Sequence, residues 1–333
     1  MTRFLFKLGG FVALQLGILC AIVWRDPGEP NAYQLTNVRH RMAAAAEGPR
    51  LIINGDSNTL TAFDCPLIHQ ATGLHPLNMG YGGGLHLDYI LNETRDVARP
   101  GDSIILSLEY EHFEGADLFL QRYQTYTSMV ARRPKNLCYV PWSDVPEVLD
   151  RLLPEYHLMA AESRRRIMGA DPLPPAVEMV NEYGDLLPRP DDPQYELPDF
   201  SQVMQLSNTE DGLGQKVERL NRFVRECREN QVTVYLIYGP HEEHHFEHNR
   251  EFIEQVHRVV ESRFDGILLS CPADTAWPTS MFKDTHAHLN AGATRTHTMR
   301  FLELFAAHRM DNLHRPPVNS LAERSRPARE NPH

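Results

Sequence analysis

The chain has 333 residues, of which 42% are hydrophobic, which is enough for one sizeable domain of about 200 to 250 residues with additional segments. Its formal net charge of -11 argues against a general nucleic-acid binder, because such proteins need clustered positive charge to meet phosphates. The sequence contains no glycine-rich nucleotide-binding loop with its lysine, so neither a nucleic-acid partner nor a cofactor is expected.

The N-terminal segment, residues 1–25, predicts a transmembrane signal anchor. The stretch Leu8–Trp24 is apolar except for one glutamine, and extending it back to Phe4 gives 21 residues. A helix of that length spans roughly 31 Å, which matches the hydrocarbon core of a bilayer. Arg3 and Lys7 flank its start, so the positive-inside rule leaves the N-terminus in the cytoplasm and sends the rest outward. A cleaved signal peptide is the alternative, but no small-x-small cleavage site follows the apolar run.

The segments that flank the main domain are polar and contain proline. Residues 26–49 predict a linker followed by a short helix over residues 33–46, which leads into the first strand. Residues 311–333 predict a disordered tail. The main domain is therefore expected to occupy residues 50–310.

Four cysteines follow the anchor and would meet an oxidising compartment if this topology is right. They could then form up to two disulfides, whose connectivity the sequence does not define. Their spacing fits no zinc-binding template. The four residues are Cys65, Cys138, Cys227 and Cys271.

Within the main domain, short apolar runs alternate with longer amphipathic stretches. Such runs predict buried parallel strands, here at residues 51–53, 77–79, 104–106, 232–238 and 267–269. Parallel strands joined by helices predict an α/β, doubly wound sheet, in which ligands bind beyond the carboxyl ends of the strands. Residues 113–212 interrupt the alternation with a proline-rich segment, which predicts an insert or substrate-binding cap.

The first strand runs directly into Asn-Gly-Asp-Ser-Asn-Thr over residues 54–59. A serine in the first turn after a buried strand can lie at the N-terminus of the next helix, where free backbone N–H groups and the helix dipole favour an oxyanion. Ser57 is therefore the candidate nucleophile. An ordinary helix N-cap is the alternative, since Asp and Ser are preferred there in any protein.

A second motif, His-Glu-Glu-His-His over residues 241–245, matches the His-Glu-x-x-His pattern of zinc peptidases. In that chemistry the two histidines share one face of a helix and the glutamate acts as the general base. Here the motif follows Gly239-Pro240 at a strand end, so a loop or a first helical turn is expected. A zinc peptidase and an incidental metal site are the alternatives. The favoured interpretation is a polar loop at the rim of the active site, with no metal.

A third cluster places Asp284, His286 and His288 in a loop before a helix expected over residues 291–307. A serine nucleophile needs a base that takes its proton, and the base works best when a carboxylate fixes its tautomer. A solvated surface cluster is the alternative. Combined with Ser57, these residues predict a catalytic triad.

Three motifs together resemble the SGNH/GDSL hydrolases. They are Gly-Asp-Ser-Asn after the first strand, Asn-Met-Gly-Tyr-Gly-Gly-Gly over residues 78–84 after the second, and Asp284 with His-Leu-Asn-Ala-Gly over residues 288–292 before the last helix. The resemblance implies a flavodoxin-like α/β/α sandwich with Ser57 as nucleophile, His288 as base and Asp284 as its partner. It also implies that the Ser57 and Gly82 amides bind the oxyanion.

Two features depart from the family pattern. The family usually separates Asp and His by three residues, whereas Asp284 and His288 are four apart, and His286 lies at the Asp-x-His spacing of the related polysaccharide O-acetylation proteins. Either histidine could be the base, and His288 is favoured. The third strand also lacks the family's oxyanion Asn; a carboxylate donates only when protonated, so backbone amides or His112 would have to substitute. The residues expected around the oxyanion and substrate are Gly82, Asn58, Glu109 and His112.

The sequence therefore predicts a membrane-anchored serine esterase or acyltransferase that acts on an acyl ester. Resemblance to cell-envelope members implies an acylated envelope polysaccharide as substrate, and partners among the proteins that modify such polysaccharides. It also implies a bacterial source and a single-pass protein of the inner membrane, with the catalytic domain facing the periplasm or cell exterior. The alternative is a non-catalytic glycan-binding or scaffold protein of an envelope assembly, which the missing Asn and the altered Asp–His spacing favour.

Overall fold

The computed structural model describes five isolated positions before residue 18 and then residues 35–81, 84–115, 122–167, 176–187, 193–203 and 205–313. No helix within these described ranges is long and apolar enough to cross a membrane. The expected anchor over residues 1–25 and most of the expected tail lie outside the described residues.

The centre of the fold is a five-stranded sheet in which every pairing is parallel. The strands of this sheet are β1 (Arg50–Gly55), β2 (His75–Asn78), β3 (Ser103–Leu108), β4 (Thr233–Tyr238) and β6 (Ile267–Leu268); a separate short pair is formed by β5 (His241–Glu242) and β7 (Ala276–Trp277). The five strands of the sheet lie in the order β2-β1-β3-β4-β6. The prediction of an α/β protein with a parallel sheet is confirmed, and each of the five apolar runs supplies one strand.

Helices join the strands and cover both faces of the sheet, as a doubly wound arrangement requires. The last of them continues to Leu313, beyond the predicted end of the main domain. The helices are α1 (Leu35–Ala45), α2 (Thr59–Ala62), α3 (Cys65–Thr72), α4 (Leu87–Val97), α5 (Arg122–Arg132), α6 (Val145–Ile167), α7 (Glu210–Glu229), α8 (Glu243–His248), α9 (Arg250–Arg263) and α10 (Ala291–Leu313).

Alternate strand residues point to opposite faces of the sheet and build two separate cores. Ile52 and Ile104 pack on one face, with the apolar stripes of α7 and α9. Leu51 and Ile53 pack on the other, with Phe301 and neighbouring apolar residues of α10. Because the strands are covered on both sides, they read in the sequence as continuous apolar runs.

Residues 113–212 contain two long helices, α5 and α6, which form their own apolar cluster with α4. The segment 176–187 then returns to the edge of the sheet, where the Asn78 amide donates to the Tyr183 carbonyl at 2.8 Å. The buried guanidinium of Arg39, on α1, donates to the carbonyl of Gly184 at 2.9 Å. These contacts bind the segment to the end of β2, beside the Ser57 turn.

The cysteines form no disulfide among the described residues. Cys65 and Cys227 are buried in the core, whereas Cys138 and Cys271 are exposed and unpaired. The two disulfides that the predicted compartment would permit are therefore not part of this fold.

The strand order reverses at β1, because the chain leaves β1 toward β2 on one side and then returns to β3 on the other. Such a switch point opens a crevice beyond the carboxyl ends of the two strands. The residues that follow β1 and β3 are those at 56–59 and 109–112. The fold therefore brings the Ser57 turn and the Glu109–His112 turn to the same crevice.

Candidate functional site

Ser57 lies in the tight turn between β1 and α2 and is partly buried. The helix that follows contains only four residues, because Phe63 is already extended, so little helix dipole reaches this turn. Asn58, and not Ser57, occupies the N-cap position, and it makes no side-chain cap bond. The expectation that Ser57 lies at the N-terminus of the next helix is met only by a single short turn of helix, and the alternative of an ordinary serine N-cap is wrong. Among the described residues, no hydrogen bond gives the Ser57 hydroxyl a structural role.

Asn58 lies wholly inside the protein and fixes the ends of three strands. Its Oδ1 accepts hydrogen bonds from the hydroxyls of Thr59 and Ser107, each at 3.1 Å. A Cβ atom on Gly239, at the end of β4, would lie only 2.1 Å from the Asn58 Nδ2. Asn58 thus supports the turn from beneath, which differs from the oxyanion or substrate contact expected of it.

Asp56, next to Ser57, is the centre of a buried acidic network. His112 Nε2 donates to Asp56 Oδ2 at 2.6 Å, and the carboxyl of Glu109 also hydrogen bonds to Asp56. Burial raises the pKa of Asp56 to about 7 and lowers the pKa of His112 to about 4. Burial and the adjacent Asp56 carboxylate raise the pKa of Glu109 well above its ordinary value.

These shifts determine where the available protons lie. The raised pKa of Glu109 favours its protonated form, which hydrogen bonds to Asp56, and the lowered pKa of His112 favours a neutral ring whose Nε2 donates to Asp56. Glu109 and His112 lie in the crevice, as expected, but their donors are directed at Asp56. Gly82, the other expected oxyanion donor, lies outside the described residues.

Asp284 and His288 form a hydrogen-bonded pair on the loop before α10. Asp284 Oδ1 lies 2.7 Å from His288 Nδ1. Although partial burial acts in the opposite direction, the bond to His288 lowers the pKa of Asp284. Because the carboxylate engages Nδ1, the histidine keeps Nε2 for a further contact. The two side chains are partly accessible to solvent.

Two threonines of α10 hold this loop against the segment that follows Ser57. Thr294 Oγ1 donates to the carbonyl of Thr61 at 2.6 Å, and the Thr298 hydroxyl accepts from the amide of Asp64 at 2.8 Å. Within the described residues, no hydrogen bond joins the Ser57 hydroxyl to His288 or His286. Of the expected triad, the structure thus shows the Asp284–His288 pair, and within the described residues this pair makes no bond to Ser57.

His286 lies in different surroundings from His288. Its Nε2 is 3.1 Å from Glu111 Oε1, its ring stacks on that of His245 with centroids 4.2 Å apart, and its centroid is 5.0 Å from that of His241. Burial opposes charge on both partners, but their hydrogen bond raises the pKa of His286 and lowers that of Glu111 to about 2. Glu111 is therefore the hydrogen-bond partner of His286 Nε2, and the contact holds the orientation of the imidazole ring.

The His-Glu-x-x-His segment does not adopt the arrangement of a zinc peptidase. His241 belongs to β5, whereas His245 lies on α8, so the two do not share a helix face. Glu242 caps the N-terminus of α8, where its Oε2 accepts hydrogen bonds from the amides of His244 and His245 at 2.9 and 3.0 Å. It is not free to act as a general base. His241 and His245 are also buried, which corrects the interpretation of this segment as a polar rim loop.

A cleft of about 230 Å³ lies between α2, the segment 176–187 and the loop before α10. Its walls include Leu60, Lys283, Leu289 and Arg295, which combine apolar surface with two cations. Neither Ser57 nor any histidine lines it. The cleft therefore borders the loop of Asp284 and His288 without containing the reactive groups.

The crevice thus contains a serine hydroxyl and a buried cluster of histidines and carboxylates, and the loop that supplies His286 to it also carries the Asp284–His288 pair. Sequence reasoning assigned no role to Asp56 or Glu111, although both stand beside residues that it selected. It also missed the grouping of His286 with His241 and His245, for which the His-Glu-x-x-His spacing was a partial signal. No protein-family model matches the chain, and no curated protein matches it.

Proposed function

We propose that the chain is a serine ester hydrolase or acyltransferase of the SGNH type, with Ser57 as nucleophile, His288 as general base and Asp284 as the carboxylate that orients it. The observation that carries this proposal is the 2.7 Å contact between Asp284 Oδ1 and His288 Nδ1. It fixes the tautomer with Nε2 unprotonated, which is the form that takes a proton from serine.

In the proposed reaction, Ser57 Oγ attacks the acyl carbonyl while His288 Nε2 takes the hydroxyl proton. The tetrahedral intermediate collapses when His288 returns that proton to the leaving alcohol oxygen, and an acyl-enzyme remains. Water or an acceptor hydroxyl then attacks the acyl-enzyme by the reverse proton path. The Ser57–His288 bond forms in the substrate complex, since such bonds are often long before substrate binds.

Oxyanion stabilisation in this proposal comes from backbone amides, those of Ser57 and Gly82. Glu109 and His112 do not supplement them, because their protons are committed to Asp56. An oxyanion donor typically contributes about 100- to 1,000-fold in rate, so we expect slow hydrolysis of simple esters.

We also propose the wider setting that the SGNH resemblance implies. The fold is of the flavodoxin-like type, which the strand order β2-β1-β3-β4-β6 supports. The substrate is an acylated envelope polysaccharide, met together with partner proteins of polysaccharide modification. The chain is anchored in the inner membrane by its N-terminal segment, with the catalytic domain in the periplasm or at the cell exterior.

The purified protein should release acid from a short-chain aryl ester and react with a fluorophosphonate probe. Ser57→Ala should lose both reactions, because only an activated serine is phosphonylated. Ser201→Ala is the matched control, since Ser201 is exposed and its hydroxyl donates to Asp199. Equal turnover and equal labelling in wild type and Ser57→Ala would refute the proposal.

The second candidate function is a non-catalytic glycan-binding or scaffold protein. It is favoured by the absence of a Ser57–histidine hydrogen bond among the described residues and by the internal role of Asn58. This candidate predicts binding of an acylated glycan without labelling by the fluorophosphonate. A calorimetric titration with acylated and deacylated glycan, run beside the probe experiment, separates the two functions.

A further inference from the structure

We propose that His241, His245 and His286 form a binding site for one divalent transition-metal ion, with zinc as the preferred ion, and that Glu111 positions the third histidine. This site is independent of the Ser57 reaction. One imidazole nitrogen from each histidine lies within 4.8 Å of those from the other two. Three donors at such separations can converge on a single ion with modest side-chain adjustment.

The structural context of the three histidines explains how the chain brings them together. His241 lies in β5 just after the end of β4, His245 lies on α8, and His286 lies on the loop before α10. The amide of Glu242 donates to the carbonyl of His286 at 2.9 Å, and the amide of His241 donates to the carbonyl of Thr275 at 2.9 Å. The backbone therefore fixes the approach of the three rings.

The strongest sign of a missing ligand is the Nε2 atom of His241. The side chain is 1% exposed, and among the described residues Nε2 is buried without a hydrogen-bond partner. Leaving a buried polar atom unpaired is unfavourable, so such atoms normally have a partner. The His241 ring faces its two neighbours edge-on, with interplanar angles of 70° to His286 and 85° to His245. A metal ion between the rings would satisfy the unpaired nitrogen.

The chemistry of the donors selects the class of ion. Imidazole suits Zn²⁺ and related transition metals, whereas Mg²⁺ and Ca²⁺ require oxygen ligands. A carboxylate that hydrogen bonds to a ligating histidine fixes the ring and increases its basicity, and Glu111 stands in that position beside His286. Three protein nitrogens leave the fourth position of a tetrahedral ion for water or a substrate oxygen, as at catalytic zinc sites.

The test is metal binding by the purified full-length chain in detergent, after chelation and dialysis. One Zn²⁺ per chain is expected by elemental analysis and by calorimetric titration with zinc chloride. Substitution with Co²⁺ should give the visible absorption of a tetrahedral ion, and X-ray absorption of the zinc form should count three imidazole ligands. This spectroscopic count needs no variant, so it remains informative if a substitution unfolds the protein.

Substitutions of single residues identify which side chains bind the ion. His241→Asn, His245→Asn and His286→Asn should each abolish stoichiometric binding, and Glu111→Gln should weaken it about 10- to 100-fold. His257→Asn is the matched control, because His257 is a partly buried histidine of α9 whose Nδ1 lies 3.3 Å from the Tyr238 hydroxyl, away from the three proposed ligands. Ser57→Ala should bind zinc as wild type does, which distinguishes this proposal from the esterase proposal.

Three results would overturn the site. The first is the absence of stoichiometric binding by the wild-type chain. The second is binding that survives all three histidine substitutions. The third is binding that is lost in His244→Asn while the three histidine variants retain it, which would move the ion to the exposed group of Glu242, Glu243 and His244.

Discussion

His286 and His288 are separated by one residue, yet they belong to two different regions of the crevice. His288 is paired with Asp284, its own near neighbour in the chain, and both side chains reach solvent. His286 contacts Glu111, His241 and His245, all of which are distant in the sequence. The comparison shows that local spacing identified the two histidines, whereas only the tertiary contacts separate them into the proposed ester-cleaving site and the proposed metal site.

The strongest test of this separation is to substitute each of the two histidines in turn. His288→Asn should lower kcat for an aryl ester roughly 10⁶-fold, toward the level of Ser57→Ala, because the base is lost. His286→Asn should change kcat less than about tenfold but abolish zinc binding, because its ring contributes no proton transfer to Ser57 in the proposed reaction. Turnover and zinc content measured on the same preparations give both results.

The reverse pattern would reassign the base. If His286→Asn loses turnover and His288→Asn keeps it, the Asp-x-His spacing is the functional one and the 2.7 Å Asp284–His288 pair is structural. Loss of turnover in both variants, with zinc lost only in His286→Asn, would mean that the metal ion takes part in the reaction.

A smaller effect is expected when only the orienting carboxylate is changed. Asp284→Asn should lower kcat about 10⁴-fold, because the amide favours the wrong tautomer of His288, and should change KM much less. Single-turnover kinetics with the aryl ester provide the measurement. Glu111→Gln is the matched control in the other region and should leave kcat near the wild-type value. Equal losses in the two variants would contradict the separation.

Stability as a function of pH should also distinguish the regions. Burial raises the pKa of Asp56 from 3.8 to about 7, so the folded state holds a proton over this interval that the unfolded state releases. The stability contribution of this proton is present below the unfolded pKa and is lost as the pH rises through about 7. Asp56→Asn should therefore gain stability relative to wild type by about 1.4 kcal/mol per pH unit across that interval.

Urea unfolding of both proteins between pH 4 and pH 8 provides the check. Asp284→Asn is the control, because the bond to His288 lowers the pKa of Asp284 and gives its contribution the opposite sign, with loss as the pH falls. Its effect should be small, since Asp284 is exposed to solvent. A pH-independent difference between wild type and Asp56→Asn would show that Asp56 does not titrate in this range.

The smallest effect is expected from the contact between α10 and the segment that follows Ser57. Thr298→Val removes a buried hydroxyl and leaves the amide of Asp64 unpaired, which should destabilise the fold by about 1–3 kcal/mol. Zinc affinity should be unchanged, and KM for the ester should rise as α10 loses its anchor on the segment after Ser57. Thermal unfolding, titration with zinc and the KM for the ester test these three expectations. Thr285→Val, on the loop itself, is the comparison variant.

The strands of the sheet could be predicted from the sequence, but the arrangement of the site could not. Continuous apolar runs predict strands that are buried on both faces, and helical spacing predicts the apolar stripe of α7 that packs in the core, which consists of Val217, Leu220, Phe223, Val224 and Cys227. The short helix after Ser57 and the buried state of His241 depend on long-range packing, which spacing alone does not contain. Asp56, Glu109 and Glu111 acquire their shifted pKa values only when the turns after β1 and β3 meet.

The bond between the Glu242 amide and the His286 carbonyl also restrains the loop before α10. It ties the loop to β5, while Thr294 ties the other end of that loop to α2. A loop that is secured at both ends resists swinging outward as a flap. For the proposed reaction, a bulky polymer would then have to present an acyl branch to a preformed entrance, because the loop does not open to enclose the whole chain.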